Sequence, residues 1–307
     1  MPGDNLTRDI IIVGGGPAGL TAGIYTSRAR LSSLLIERGL IGGQIANAEW
    51  VENFPGFPEG ISGIDLGQRL HDQATRFGLE TILAEVTGLE LQGDQRVVKT
   101  SEGDFTTKAV ILAGGSNHQK LNVPGEEEFT GRGVSYCATC DSAFFQDQPV
   151  AVVGGGDAAI TEALHLAKSS AKVTIVHRRD QLRATKILQE KAFAQPKIDF
   201  AWDSIVEKIE GEDFVQGLRL HNVKTGQTSN LEVTGVFVSI GFLPDTDYLK
   251  DLLPLDEIGQ IITNEKMETE VAGVFAAGDI RHNSGRQAIT AAGDGATAAI
   301  FAEEYLT

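Results

Sequence analysis

Apolar positions along the chain bunch twice into the same succession of elements. Residues 10–39 read IIIVGGGPAGLTAGIYTSRARLSSLLIERG and residues 150–180 read VAVVGGGDAAITEALHLAKSSAKVTIVHRRD, and the two stretches align without a gap at an offset of 140. In each, a short β-branched run leads into a glycine turn, then into apolar residues spaced three and four apart, then into a second apolar run. The three-and-four spacing places apolar side chains on one helix face, and an unbroken apolar run suits a strand covered on both sides. The pattern therefore predicts a βαβ unit, twice over.

Each unit is followed by stretches rich in Val, Thr and Leu, near 80–107 and 198–233, that read as antiparallel strands. Each then closes with an apolar strand ending in glycine, AVILAGG at 109–115 and GVFVSIG at 235–241. The remaining tail, VFAAGDI at 274–280 and a helix-like stretch from Arg286 to about Tyr305, has no βαβ start of its own. It reads as the completion of the first domain, which makes the second an insertion. The expected fold is α/β, with two Rossmann-like domains of the three-layer ββα kind, one formed by 1–117 and 245–307 and the other by 118–244.

Composition narrows the picture. Gly is 36 of 307 residues, well above the usual share of about 7%, while Pro is only 9, so the chain is globular with many tight turns. With 26 basic against 42 acidic residues the net charge is −16, a field that repels nucleic-acid phosphates and anionic membrane surfaces. No uninterrupted hydrophobic run exceeds five residues, and MPGDNLTRD lacks the charged and apolar regions of a signal peptide. A soluble, cytoplasmic protein is expected, in which the acceptor-like triplet Asn5-Leu6-Thr7 carries no glycan.

The two glycine turns differ in what they invite. Gly14-Gly15-Gly16-Pro17-Ala18-Gly19 fits G-x-G-x-x-G between a strand and a helix, where missing Cβ atoms and the helix N-terminus admit a pyrophosphate. Glu37 stands at the end of the second strand, 23 positions after the first glycine. A carboxylate there accepts a ribose 2′-hydroxyl and repels a 2′-phosphate, which suits the adenosine half of FAD or NAD. In the second unit the same position is His177, followed by Arg178, Arg179 and Arg183, and the third glycine is Ala159. Charge runs are usually solvated faces, but at this strand end guanidinium groups match the 2′-phosphate of NADPH.

The two cysteines of the chain are Cys137 and Cys140, in Cys-Ala-Thr-Cys. Half a zinc site, a structural staple and a redox pair are the readings open to them. The histidines at 71, 118, 165, 177, 221 and 282 never approach metal-ligand spacing, so no metal is expected. A staple over so short a loop gains little in a reducing compartment. Redox exchange leads, because CxxC geometry lowers one thiol's pKa and lets the disulfide open and close.

With GGGPAG at 14, GGQ at 42, VENFPG at 51, CATCD at 137, GGGDAA at 154, HRRDQLR at 177 and AAGD with GRQA at 276–288, the chain resembles the low-molecular-weight, NADPH-dependent thioredoxin reductases over its whole length. These belong to the pyridine nucleotide-disulfide oxidoreductase class. The resemblance implies FAD held by Gly14, Gly16, Pro17, Ala18, Glu37, Arg38, Gly43, Gln44 and Asn53, with Gly278, Asp279, Arg286, Gln287 and Ala288 near its ribityl chain and ring. It implies NADPH held by Gly154, Gly156, Asp157, Ala158, Ala159, His177, Arg178, Arg179 and Arg183. Cys140 would face the flavin, Cys137 would attack the disulfide of a thioredoxin-like partner, and Asp141 would serve the thiols as acid and base.

A homodimer is implied by the resemblance alone. The sequence departs from the family at Ala113-Gly114-Gly115, Gln119, Ser142 and Ala158. Rival readings keep the dithiol flavoenzyme but change the reductant to ferredoxin or the substrate to a small dithiol, or replace the enzyme by a nucleotide-binding redox sensor. Since the nucleotide turn and the disulfide share one domain and must each reach a single flavin, the inserted domain is expected to rotate about its two crossings.

Overall fold

The computed structural model describes residues 7–48 and 50–307, so Asn5 and Leu6 of the acceptor-like triplet lie outside the described residues. It divides into two compact units: one joins the chain up to Asn117 with Leu243–Thr307, and the other is His118–Phe242.

In the first unit, β1 (Thr7–Val13), α1 (Pro17–Arg28) and β2 (Ser33–Glu37) form the leading βαβ start. Then come α2 (Gly63–Arg76), β3 (Glu80–Leu83), β4 (Val86–Gln92), β5 (Gln95–Thr100) and β6 (Gly103–Leu112). The chain leaves along β7 (Ser116–His118).

In the second unit, β8 (Val134–Ser135) and the short α3 (Ala138–Asp141) precede β9 (Pro149–Val153), α4 (Asp157–Leu166) and β10 (Lys172–Val176). Next are α5 (Lys186–Ala194), β11 (Ile198–Ala201), β12 (Ser204–Gly211), β13 (Val215–Asn222), β14 (Thr228–Glu232) and β15 (Gly235–Val238). The chain returns along β16 (Phe242–Pro244), and β17 (Val274–Ala276) and α6 (Ala288–Leu306) complete the first unit.

The first sheet runs β3-β2-β1-β6-β5-β4, and β6 carries β17 as an additional neighbour. Strand β6 is long enough for two partners on one edge: residues 103–107 pair antiparallel with β5, and 110–112 pair in parallel with β17. Its other edge pairs in parallel with β1. Alternation along β1 splits the core. Ile10 and Ile12 face α1 and α6, whereas Ile11 and Val13 face Leu249 and Leu253. Ile10, Ile11 and Ile12 are fully buried, each stabilising the fold by about 1.5–3 kcal/mol.

The second unit shows its layers by the same alternation. A parallel sheet β11-β10-β9-β15-β8 has Val150, Val152 and Ile175 against α4, and Ala151, Val153 and Val176 against the antiparallel sheet β12-β13-β14. One departure from the sequence pattern recurs in both units. Strands β3 and β11, at the start of the stretches read as antiparallel, instead pair in parallel with β2 and β10. Each follows a crossover containing a helix, α2 or α5, and such a connection brings the chain back in its starting direction. Among the described residues, no helix is long and apolar enough to cross a membrane.

Candidate functional site

The glycine turn of the first unit is built by close backbone approaches. Gly14 has φ +106°, and a Cβ there would sit 2.3 Å from the Ala113 carbonyl oxygen. A Cβ on Gly19 would lie 1.8 Å from the Gly14 carbonyl oxygen, so the third glycine sets α1 tightly against its strand. Gly16 differs: the only nearby atom is the Gly42 carbonyl oxygen at 3.9 Å, leaving a cradle open above the turn. Pro17 begins α1, whose N-cap Gly16 supplies no side-chain bond and whose first turn has no acidic residue. The amides there are available to a phosphate, and the helix dipole favours one.

Glu37 braces this turn from below, its Oε2 accepting from the Gly15 amide at 2.6 Å and its Oε1 from the Gly39 amide at 2.7 Å. The neighbouring loop docks through the Gly42 amide on the Gly15 carbonyl at 2.8 Å. Gly43, at φ +59°, would bring a Cβ within 3.0 Å of the Gly16 Cα. Ala18 is buried beneath Gly278, which has φ +79°. Arg38 places one nitrogen on Asp245 and another on Asn117, each at 2.6 Å.

The more distant flavin expectations also group within this unit. The Gln44 amide donates to the Ser116 carbonyl at 3.2 Å, and the Asn53 amide donates to Gln287 Oε1 at 3.0 Å. Gln287 caps α6, with Ala288 its first residue, and Arg286 enters at φ +51°. Asp279 is largely removed from water, and burial pushes its carboxyl above the ordinary range. Ser284 Oγ donates to it at 3.0 Å, and a carboxyl so placed has acceptor capacity for ligand hydroxyls.

Sequence reasoning missed the group that fixes this loop. Buried Asp294 takes a two-pronged hydrogen bond from Arg281, at 2.7 and 2.8 Å, and a third from the Gly278 amide at 3.1 Å. The available signal was an acidic residue inside the apolar run AITAAGDGATAAIF.

The second turn repeats the geometry of the first. Gly154 has φ +154°, and its Cβ would meet the Ser239 carbonyl oxygen at 2.1 Å and Ala159 Cβ at 2.7 Å. Gly156 has open space around it, and the Gly155 carbonyl accepts from the Arg183 and Ala184 amides at 2.7 and 3.1 Å. Asp157 opens α4 and accepts from the Thr185 amide at 2.6 Å, while Ala158 is exposed. His177 is 5% exposed, lies under Gly155, and its Nε2 is 3.1 Å from the Gln181 carbonyl oxygen. Burial, reinforced by Arg183, Arg179 and Arg178, pulls its pKa below the ordinary value. Outside it opens a groove of about 380 Å³ lined by Arg178, Arg179, Asp180, Gln181, Leu182, Arg183, Asp203, Val223 and Lys224. The three arginines thus share one groove and His177 stands outside its lining; Asp203, Val223 and Lys224 come from loops the sequence pattern did not connect with it.

Cys137 and Cys140 are joined as a disulfide with their Cα atoms 5.3 Å apart. Cys137 is half-buried at the start of α3, Cys140 is exposed, and the Cys140 amide donates to Cys137 Sγ at 3.2 Å. An amide aimed at sulfur stabilises a thiolate there after reduction. Ser135 Oγ accepts from the Cys137 amide at 3.0 Å, and the Asp141 amide donates to the Cys137 carbonyl at 3.2 Å, so the motif is held on both sides. Ser142 contacts His165 Nε2 at 3.0 Å, which ties the end of this segment to α4. Tyr136 donates to buried Glu126 at 2.8 Å, and burial together with that carboxylate raises the phenol's pKa. Among the described residues, no group of His, Cys, Asp and Glu could hold a metal.

Two phosphate-ready turns and a CxxC disulfide in one chain coincide with a match of residues 8–295 to the family of pyridine nucleotide-disulphide oxidoreductases. The chain belongs to this family. It is an oxidoreductase of mixed α/β fold. It is 47% identical to a thioredoxin reductase of Peptoclostridium acidaminophilum over 304 residues, covering 97% of this chain and 96% of that one. Against a thioredoxin reductase of Streptomyces coelicolor the identity is 49% over 302 residues, 97% and 94% of the two chains. The crystal structure of Lactococcus lactis thioredoxin reductase in its FR conformation matches with a TM-score of 0.95 at 45% identity, over 97% of this chain and 99% of that one.

Proposed function

We propose that this oxidoreductase is a flavoprotein disulfide reductase that carries electrons from NADPH through FAD to Cys137–Cys140 and on to a thioredoxin-like protein. The observation that carries the reading is the Cys137–Cys140 disulfide with the Cys140 amide on Cys137 Sγ. FAD fits the first unit: the open cradle at Gly16, the bare first turn of α1 and the half-buried carboxyl of Asp279 match pyrophosphate and ribityl hydroxyls. NADPH fits the second unit through Gly156 and the arginine groove. Bound there, FAD would supply a hydride acceptor for the nucleotide and an electron pair for a disulfide.

The remaining steps belong to the chain. Two electrons and two protons cleave the Cys137–Cys140 bond to two thiols. Cys137, its thiolate held by the Cys140 amide, attacks the partner's disulfide, forming a mixed disulfide and releasing one partner thiolate, which is then protonated. Cys140 then attacks Cys137 Sγ, which re-forms the internal disulfide and frees the second partner thiol. Asp141, next in sequence to Cys140, moves the protons. Both crossings between the units carry a glycine with positive φ, Gly115 at +65° and Gly241 at +125°. That freedom supports the reading in which the inserted unit turns to present dithiol and nucleotide alternately. A homodimer and a cytoplasmic location belong to the same proposal and rest on family likeness.

The test separates the two cysteines. Purified protein should release FAD on denaturation and be reduced anaerobically by NADPH in preference to NADH. Cys140→Ser should trap a mixed disulfide with thioredoxin, and Cys137→Ser should not. A flavin-free protein that cannot be reconstituted, or trapping through Cys140 instead, would reject the assignment.

A further inference from the structure

The arginine groove is closed by a second wall that comes from three separate segments. Asp180 follows the arginines after β10, Asp203 sits in the turn between β11 and β12 at φ +53°, and Lys224 lies in the turn between β13 and β14. The Lys224 ammonium is 2.8 Å from Asp180 Oδ2 and 3.2 Å from Asp203 Oδ1. Backbone bonds hold these segments together: the Val223 amide donates to the Asp203 carbonyl at 2.7 Å and the Asp203 amide to the Arg179 carbonyl at 3.3 Å. Asn222 Oδ1 accepts from the Lys224 and Thr225 amides at 3.1 and 2.9 Å, which fixes the turn that carries the lysine. Lys224 is therefore positioned on the groove by a built turn.

We propose that Lys224 is a specificity-determining residue for the 2′-phosphate of a pyridine nucleotide, held in place by Asp180 and Asp203, an inference that rests on reading the arginine groove as the NADPH site. Four cationic side chains and two carboxylates line the groove, a surplus of two positive charges. A phosphate monoester carries about −1.5 to −2 at neutral pH, so the surplus matches the ligand. Removing Lys224 halves the surplus and also leaves Asp180 and Asp203 without their counter-ion beside the incoming phosphate. A nucleotide with a plain 2′-hydroxyl brings no charge there and loses little. The hydrogen bonds from Lys224 raise its own pKa and lower that of Asp180, so both stay ionised at neutral pH.

The test measures binding of 2′,5′-ADP and 5′-ADP to the purified full chain by calorimetry, which reads the groove without turnover. Lys224→Gln should weaken 2′,5′-ADP about tenfold, with a much smaller loss for 5′-ADP. Lys224→Arg should keep the preference, and adding Asp180→Asn with Asp203→Asn to Lys224→Gln should recover most of the lost affinity. Equal losses for both ligands, with a lowered melting temperature, would mean that the lysine only staples its turn and would overturn the proposal. Unchanged binding would overturn it as well. If the unmodified protein does not prefer 2′,5′-ADP, the NADPH reading of the groove falls first, a result distinct from a wild-type preference that survives Lys224→Gln.

Discussion

The turns at Gly14–Gly19 and Gly154–Ala159 share a backbone and diverge in what lies beneath and beside it. In both, the first glycine is left-handed and backs onto a carbonyl of the neighbouring strand end, Ala113 in one and Ser239 in the other. In both, the middle glycine rests on the side chain 22 residues further along, Glu37 or His177. Glu37 spends each oxygen on a backbone amide, whereas His177 is buried, its pKa lowered by that burial, and bonded to the carbonyl of its own loop. The strand-end residue is thus a brace in both units. What distinguishes the second is the loop after it, where Arg178, Arg179 and Arg183 point into a groove. Steric contact fixes the cradle, and the proposed choice of nucleotide rests on the residues just beyond the strand.

The largest effects should come from breaking the shared backbone. Gly14→Ala and Gly154→Ala each force a Cβ to within 2.3 Å or less of a carbonyl oxygen and should destabilise their units by roughly 3 kcal/mol or more. Gly156→Ala meets open space at φ −95° and should cost under about 1 kcal/mol in denaturant melts. Equal losses at 154 and 156 would break the comparison. Next in size is the selectivity change. Replacing Arg178 and Arg179 with serine should weaken NADPH by about one to two decades for each charge-assisted bond lost, at roughly 1.5–3 kcal/mol per bond, with little change for NADH. Binding titrations with both nucleotides check it, and parallel losses would count against the groove.

The smallest effect is in pH. Because the folded pKa of His177 lies below its ordinary value of 6.5, the unfolded chain takes up the proton first as pH falls. The His177 contribution to stability is therefore present above pH 6.5 and is lost as pH falls below it, by no more than about 1.4 kcal/mol per pH unit. His177→Gln should flatten urea midpoints between pH 7.5 and 5.5. An unchanged slope would remove His177 as the cause.

Much of this was written in the sequence, and the parts that were not have a common reason. The repeat at an offset of 140, the glycine turns and the cysteine pair are local patterns, legible because their spacing is set by one strand, one turn and one helix. The burial of His177 depends on Gly155 and on Trp202, whose ring centre lies 6.4 Å from the imidazole after another crossover. Lys224 reaches Asp180 only because the β13–β14 hairpin turn is hydrogen-bonded to the turn between β11 and β12, a contact across 44 residues of chain. Asp294 was missed because the groups it binds, Arg281 and the Gly278 amide, lie 13 and 16 residues earlier in the chain. The parallel pairing of β3 and β11 was missed because their short polar edges resemble hairpin strands, while direction is decided by the helix before each.

The two partners along one edge of β6 impose an order on biosynthesis. As the chain leaves the ribosome, β1 to β6 emerge first, yet the edge of β6 at Val110–Leu112 has no neighbour until Val274–Ala276 arrives. The face that α1 shares with α6 stays bare for the same interval, because everything from His118 to Phe242 must be translated in between. The inserted unit has all its strands and helices in hand before that edge is covered, and domains fold as units once their segments are available. The part of the protein translated first is therefore the last to close, and until then it exposes an open strand edge of the kind that can pair with another nascent chain.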